Sequence, residues 1–161
     1  KIRVTRKVVF KKNTEEREKE LEKLYGGWVK ALDNKDMGIG IVYFDVEQIR
    51  TTRVDYGRAG EYMIMIVLNC LEISKKYGKE QVGSLVRLEG ATVKNFSYKF
   101  VKYISNLVSQ AFPGRLKVAH IMEPNSKIYK SLVMAFFKMM KYCVHKEAYE
   151  KLKLLKAVKN H

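Results

Sequence analysis

The stretch from Ser84 to Glu123 constrains the fold more than any other part of the chain. It reads as a strand closing on Leu88-Glu89-Gly90, followed by a helix. A turn at Phe112-Pro113-Gly114-Arg115 then leads into a second strand, Leu116-Lys117-Val118-Ala119-His120-Ile121-Met122. Strand, helix and strand in that order form the unit from which parallel sheets are built.

The rest of the chain repeats the alternation. Residues 39–46 are an almost unbroken apolar run, as expected of a strand covered on both faces. Residues 60–77 read as a long helix ending near Gly78, and residues 81–88 as the second central strand. Residues 95–111 carry Phe96, Phe100, Tyr103, Leu107 and Val108 at helical spacing. After the strand at 116–122 come a helix over 127–142, rich in large apolar residues, and a basic helix over 145–158.

Nearer the start, Ile2, Val4, Val8 and Phe10 alternate with basic residues, as in an edge strand or an arm. Asn13 is a suitable N-cap, with Glu16 three residues on, for a charged helix running to about residue 32. Glu15 and Lys19 support it at i,i+4, and Gly26-Gly27 is placed to break or bend it. The expected fold is α/β, with a mainly parallel sheet as floor, helices packed on it and right-handed crossovers. A basic arm and charged helix over residues 1–32 would precede a globular domain over 33–161.

Composition narrows the partners. The chain of 161 residues carries a formal net charge of +15, unevenly placed. Residues 1–90 hold 18 basic and 14 acidic side chains, whereas residues 91–161 hold 14 and 3. So lopsided a charge creates a positive potential over one part of the surface and suits an anionic partner, either a phospholipid bilayer or a nucleic acid. The longest fully apolar run, residues 62–68, is far too short to cross a bilayer. The N-terminus lacks the apolar block of a secretory signal, so a cytoplasmic, peripherally membrane-associated protein is expected. Cys70 and Cys143 are expected to be buried, reduced thiols, and no cysteine–histidine cluster points to a metal.

Catalytic motifs are missing. The chain has no phosphate-binding GxxxxGKS/T, no GxGxxG, no GxSxG nucleophile elbow and no HExxH. His120, His145 and His161 have no catalytic neighbour in the sequence, and Glu89 is a lone carboxylate at a strand end. The expectation is a protein without catalytic residue, cofactor or metal, acting as a monomer.

Five segments carry a family resemblance. Asp33-Asn34-Lys35-Asp36 with Gly40-Ile41-Val42-Tyr43-Phe44 is similar to a DKDGRPVYF strand, and Ser84 through Gly90 to a strand ending in DLEG. Phe112-Pro113-Gly114-Arg115-Leu116 matches YPERL, His120 through Asn125 stands where a strand leads to NAP, and residues 141–152 track KPFL…KI. In this order, over residues 33–156, the chain resembles the CRAL-TRIO lipid-binding family.

The resemblance implies a sheet floor under an apolar cavity for one lipid, roofed by a mobile gating helix. Here the gate would be residues 127–142, with Ile128, Leu132, Phe136, Phe137, Met139 and Met140 as its apolar face. Methionine suits a gate, because its flexible thioether repacks around different partners. By the same resemblance, Tyr43, Ser84 and Lys151 would bind the lipid headgroup, Lys151 at a phosphate. The family's aspartate before LEG is Arg87 here, and its inositol-recognising acid aligns with Ser105, so phosphatidylinositol is not implied. Each buried methylene is worth about 0.8 kcal/mol, so two acyl chains of about 15 methylenes each would cost on the order of 24 kcal/mol to expose. A carrier must therefore replace that apolar contact almost completely.

The function expected is non-enzymatic binding and transfer of a phospholipid or other hydrophobic ligand between membranes. One alternative is a nucleic-acid-binding domain, using Tyr98, Phe100, Tyr103 and Tyr149 among the lysines. The other is a protein-interaction module that keeps the fold with a filled pocket.

Overall fold

The computed structural model describes residues 14–51, 54–95, 97–125 and 127–155. The expected arm at 1–12 and the Asn13 cap lie outside them, as does Phe96. Helix α1 (Thr14–Tyr25) leads to β1 (Val29–Asn34) and β2 (Ile39–Asp45), then α2 (Tyr56–Lys76), β3 (Val82–Arg87), α3 (Tyr98–Ala111) and β4 (Leu116–Met122). The chain closes with α4 (Lys130–Cys143), α5 (Lys146–Glu150) and β5 (Leu152–Leu155). Single 3-10 turns stand at Val46–Gln48, Val93–Asn95 and Lys127–Tyr129.

The five strands form one sheet in the order β1-β2-β3-β4-β5. β1 runs antiparallel to β2, and every later pairing is parallel. Because strand order never reverses, crossovers of one hand lay successive helices on the same face of the sheet. Register agrees: Val42, Ser84, Ala119 and Leu152 are successive partners on that face. Their neighbours Tyr43, Leu85, His120 and Lys153 align on the other.

Two apolar clusters build the helical layer. One, under α1 and α2, includes Leu21, Tyr25, Tyr62, Met63, Val67 and Cys70. The other, under α4, joins Val46, Leu88 and Ile121 to Val133, Phe136 and Met139. Phe44 and Ile49 pack against both. Gly60 allows α2 and α3 to approach closely, since a Cβ there would lie 2.7 Å from Leu107 Cδ2.

Two expected helices are corrected. The first ends at Tyr25 instead of near residue 32. Gly26 N–H bonds back to the Glu22 carbonyl at 2.7 Å, and a Cβ on Gly26 would sit 2.4 Å from that oxygen, so the double glycine ends the helix. The chain then turns into β1, which spans residues 29–34 and so crosses the division expected at residue 33. The basic helix expected over 145–158 is only α5, five residues long, before β5 pairs with β4. Backbone pairing with an open sheet edge outweighs a charge pattern that either structure can carry. Helix starts move by a few residues for capping reasons: Asp55 accepts from Arg58 N–H at 3.3 Å, and Ser97 from Phe100 N–H at 3.3 Å.

Candidate functional site

A cavity of about 660 Å³ lies between the sheet and the helices that cross it. Ligand cavities commonly measure about 300–1,000 Å³. The floor is the helix-facing side of β2, β3 and β4, through Val42, Phe44, Ser84, Val86 and Ala119. α2 adds Tyr62 and Met63, and α3 adds Phe100, Val101, Ile104 and Val108. α4 closes the space with Phe136, Met139 and Met140.

One end of the lining is aromatic and held in place. Trp28 meets Tyr25 at 5.1 Å and Phe100 at 5.8 Å between ring centroids, both edge-on, the geometry that ring quadrupoles favour. Besides Ser84 of β3 and Asn95, polar lining residues come from α3, the turn after it and the segment around α5. They include Ser105, Ser109, Gln110, His145 and Lys151. Lys151 follows α5 directly, and its Nζ donates to the Leu116 carbonyl at 2.5 Å, tying this segment to the start of β4. An ammonium has three donors, so two remain for other acceptors.

The residues expected from sequence divide accordingly. Ser84 stands in the floor and Lys151 in the lining, so the fold brings both to one cavity. Tyr43 is corrected: it is absent from the lining, and strand alternation turns it from its neighbours Val42 and Phe44 to the opposite face. There it lies near Asp45 and Arg87, and burial, followed by the Asp45 charge, raises its phenol above the ordinary range. Of the gate residues, Phe136 and Met139 are buried and, with Met140, line the cavity. Leu132 and Phe137 pack in the cluster beneath α4 without lining the cavity. The side chain of Ile128 lies outside the described residues.

Other lining residues had been given no binding role. Ser105 and Ser109 stand four apart on α3, among Val101, Ile104 and Val108. Two hydroxyls at helical spacing beside an apolar stripe were a readable signal. Trp28 was hidden by the helix expected across it.

Arg87 has a structural place. It donates to Asp45 at 3.1 Å and Glu47 at 3.2 Å, joining the ends of β2 and β3. Burial pushes the Cys70 thiol up to about 12 and raises that of Cys143 as well, and both cysteines are free. Among the described residues no three His, Cys, Asp or Glu side chains gather as a metal site. No described helix is long and apolar enough to cross a membrane.

An apolar cavity between a mainly parallel sheet and one layer of helices is what the sequence resemblance implied. The family model of the CRAL/TRIO domain matches residues 28–161. The chain belongs to the CRAL/TRIO domain family. The solved structure described as the crystal structure of Sfh5 is similar, with a TM-score of 0.58 and 12% sequence identity. That match covers 85% of this chain and 50% of Sfh5, so the chain spans half the length of that relative. At this identity the likeness shows the fold alone. No curated protein sequence matches the chain. CRAL/TRIO proteins are a lipid-binding and lipid-transfer family, and the greasy cavity accords with that chemistry.

Proposed function

We propose that this CRAL/TRIO chain binds one lipid in the cavity beneath α4 and transfers it between membranes without bond chemistry. The observation that carries this reading is the cavity itself, about 660 Å³ with largely apolar walls. Acyl chains gain no directional bonds, so their affinity comes from apolar area removed from water. Ser84 and Lys151 serve the polar end of the ligand.

α4 acts as the gate. It covers the cavity with Phe136 and Met139, while Met134 and Tyr142 on its outer side are 67% and 68% exposed. Lys127, Lys130, Lys138 and Lys141 accompany them, and the segment 127–143 contains no Asp or Glu. An anionic cytoplasmic leaflet would attract this surface by about 1 kcal/mol per basic residue held near it. At the bilayer, the outer apolar side chains insert, α4 swings away and one lipid exchanges. This is a population shift driven by the membrane's higher affinity for the open state. The protein would then act as a monomer at the cytoplasmic face of a membrane.

The test is native mass spectrometry of the purified protein, followed by a liposome-to-liposome transfer assay. A co-purifying lipid and transfer faster than the spontaneous rate are expected. Lipid-free protein with no transfer would overturn the reading. Nucleic-acid binding has less support, because of the four aromatics named for it only Tyr98 is exposed; Phe100 is buried and Tyr103 and Tyr149 are half-buried, poorly placed to stack on bases.

A further inference from the structure

We propose that the surface meeting the bilayer continues from α4 onto the first turns of α3, where Tyr98, Lys99 and Lys102 form a stationary foothold for anionic lipid. The inference rests on the membrane-transfer reading above and adds to the moving helix a contact that does not move.

Charge rises step by step across the helical layer. Its four long helices pack in chain order, α1 on α2, α2 on α3 and α3 on α4. α1 carries five acidic and three basic residues, α2 two and three, α3 none and two, and α4 none and three. No Asp or Glu occurs between Glu89 and Glu123, so Lys94, Lys99 and Lys102 meet no opposite charge in their own segment. A ramp of this kind makes the layer an electrical dipole, and an anionic surface turns its α3–α4 edge toward itself. α4 is therefore not alone in facing the bilayer.

Exposed rings stand on the same edge. Tyr98 opens α3 and is 58% exposed, and Tyr142 lies near the end of α4. These two helix ends meet: Cys143 Sγ is 3.9 Å from the Tyr98 carbonyl. Lys102 is also near, since its charge offsets part of the rise that burial gives the Cys143 thiol. Tyr98 and Lys102, four residues apart, share one face of α3. Lys99 and Lys102 are exposed and form no ion pair among the described residues. Tyrosine rings gather at membrane–water interfaces, with the ring among lipid and the hydroxyl in water. Met134, the other exposed apolar residue of α4, offers no face to a base, so the combination fits lipid better than nucleic acid.

The start of α3 is anchored to the frame on both sides of Tyr98. Ahead of it, the buried Asn95 amide donates to the carbonyls of Glu47 at 3.2 Å and Ile49 at 2.8 Å. Behind it, buried Phe100 meets Trp28 and Tyr56 edge-on, at 5.8 and 5.7 Å between ring centroids. A carrier touching the membrane only through its gate would loosen its hold as the gate swings. α3 keeps the protein in place while α4 opens.

The test uses vesicles of phosphatidylcholine alone and of phosphatidylcholine with phosphatidylserine. Lys99→Ala with Lys102→Ala should weaken binding to the anionic vesicles about thirtyfold, two basic residues' worth at such a surface, and leave binding to the neutral ones within about twofold. Tyr98→Ser should weaken binding to both by similar factors, because transfer of the ring to the interface does not depend on lipid charge. In transfer assays the lysine pair should raise the half-saturating vesicle concentration and leave the maximal rate within about twofold, whereas damage to the cavity would lower that rate. Circular dichroism checks that α3 persists, and alanine is the stronger helix former at both lysine positions.

Unchanged binding of either variant to anionic vesicles, or a lower maximal rate with half-saturation unmoved, would overturn this inference and leave lipid transfer standing. Failure of wild type to bind or transfer lipid with either kind of vesicle would overturn both.

Discussion

The helices that bracket the cavity are fastened in opposite ways. On the α2 side, directional polar contacts reinforce the apolar cluster. Arg17 makes two bonds to Glu61, at 3.1 and 3.2 Å, and Arg58 reaches Glu20 at 2.6 Å. Fully buried Ser74 accepts from Gly40 N–H at 2.8 Å and donates to the Gln81 carbonyl at 2.7 Å, locking the end of α2 to the starts of β2 and β3. On the α4 side, no ion pair joins the helix to the rest of the described fold, and no side chain caps its N-terminus. α4 is held mainly by apolar contact with Val46, Leu88 and Ile121, beside one weak, long bond from Cys143 Sγ to the Tyr98 carbonyl at 3.9 Å. Dispersion and area burial are non-directional, so acyl chains or bilayer lipid can replace them. Buried hydrogen bonds admit no such substitute. One helix is built into the frame and the other rests on it.

The largest expected effects test that contrast directly. Leu21→Ala removes a fully buried side chain from the α2 cluster and should cost about 2–5 kcal/mol of unfolding free energy, read from urea midpoints. Phe136→Ala removes a larger side chain from beneath α4 at the cavity wall. Because that wall already borders open space, its stability cost should fall below that of Leu21→Ala, while spontaneous lipid exchange accelerates. A Phe136→Ala cost matching the about 3–5 kcal/mol of a closed-core truncation, with exchange unchanged, would make α4 part of the core.

The same contrast explains what could be read from sequence. β2, β3 and β4 were legible to within a residue or two because they are central strands, paired along both edges and written as largely apolar runs. β1 and β5 were not, being edge strands. Lys30, Asp33 and Lys153 leave them looking like the solvated face of a helix. Ser84 and Lys151 could be placed at the cavity because the motifs that carry them are tied to their strand and helix positions. Tyr43 could not, since the resemblance locates the strand but the side on which its helices lie decides which neighbour faces inward. The hydroxyls of α3 stood at a readable spacing, but that they face the cavity follows only from the fold.

The two cysteines report on the contrast without any substitution. Cys70 lies on the buried face of α2 and Cys143 at the end of α4, both buried and free. With anionic vesicles added, alkylation of Cys143 should outpace that of Cys70 by at least tenfold, about 1.4 kcal/mol in the cost of exposure, read by peptide mass spectrometry. Equal protection of both thiols under transfer conditions would count against opening at α4. Cys70 also makes a pH prediction. Its folded pKa of about 12 stands above the ordinary 9.0, so between those values the unfolded chain has lost a proton that the folded chain keeps. Its contribution to stability should therefore be level below pH 9 and fall as pH rises from there toward 12, at up to about 1.4 kcal/mol per unit. Cys70→Ala should abolish that portion of the alkaline slope in urea titrations.

The smallest effects belong to the surface. Lys138 and Lys141 are exposed on α4, and Lys75 and Lys76 are exposed near the end of α2. All four carry the same charge, so a protein drawn to anionic lipid by net charge alone would feel each loss equally. If α4 is the side that meets the bilayer, charge removal there acts at the contact itself, and removal from the end of α2 acts through more screening solvent. Lys138→Ala with Lys141→Ala should weaken binding to phosphatidylserine-containing vesicles by about 1 kcal/mol per residue, and Lys75→Ala with Lys76→Ala by much less. Raising salt should narrow the gap, because screening reduces both contributions. Equal losses from the two pairs in vesicle sedimentation would show that orientation at the membrane is not set by α4, even if the cavity binds lipid as proposed.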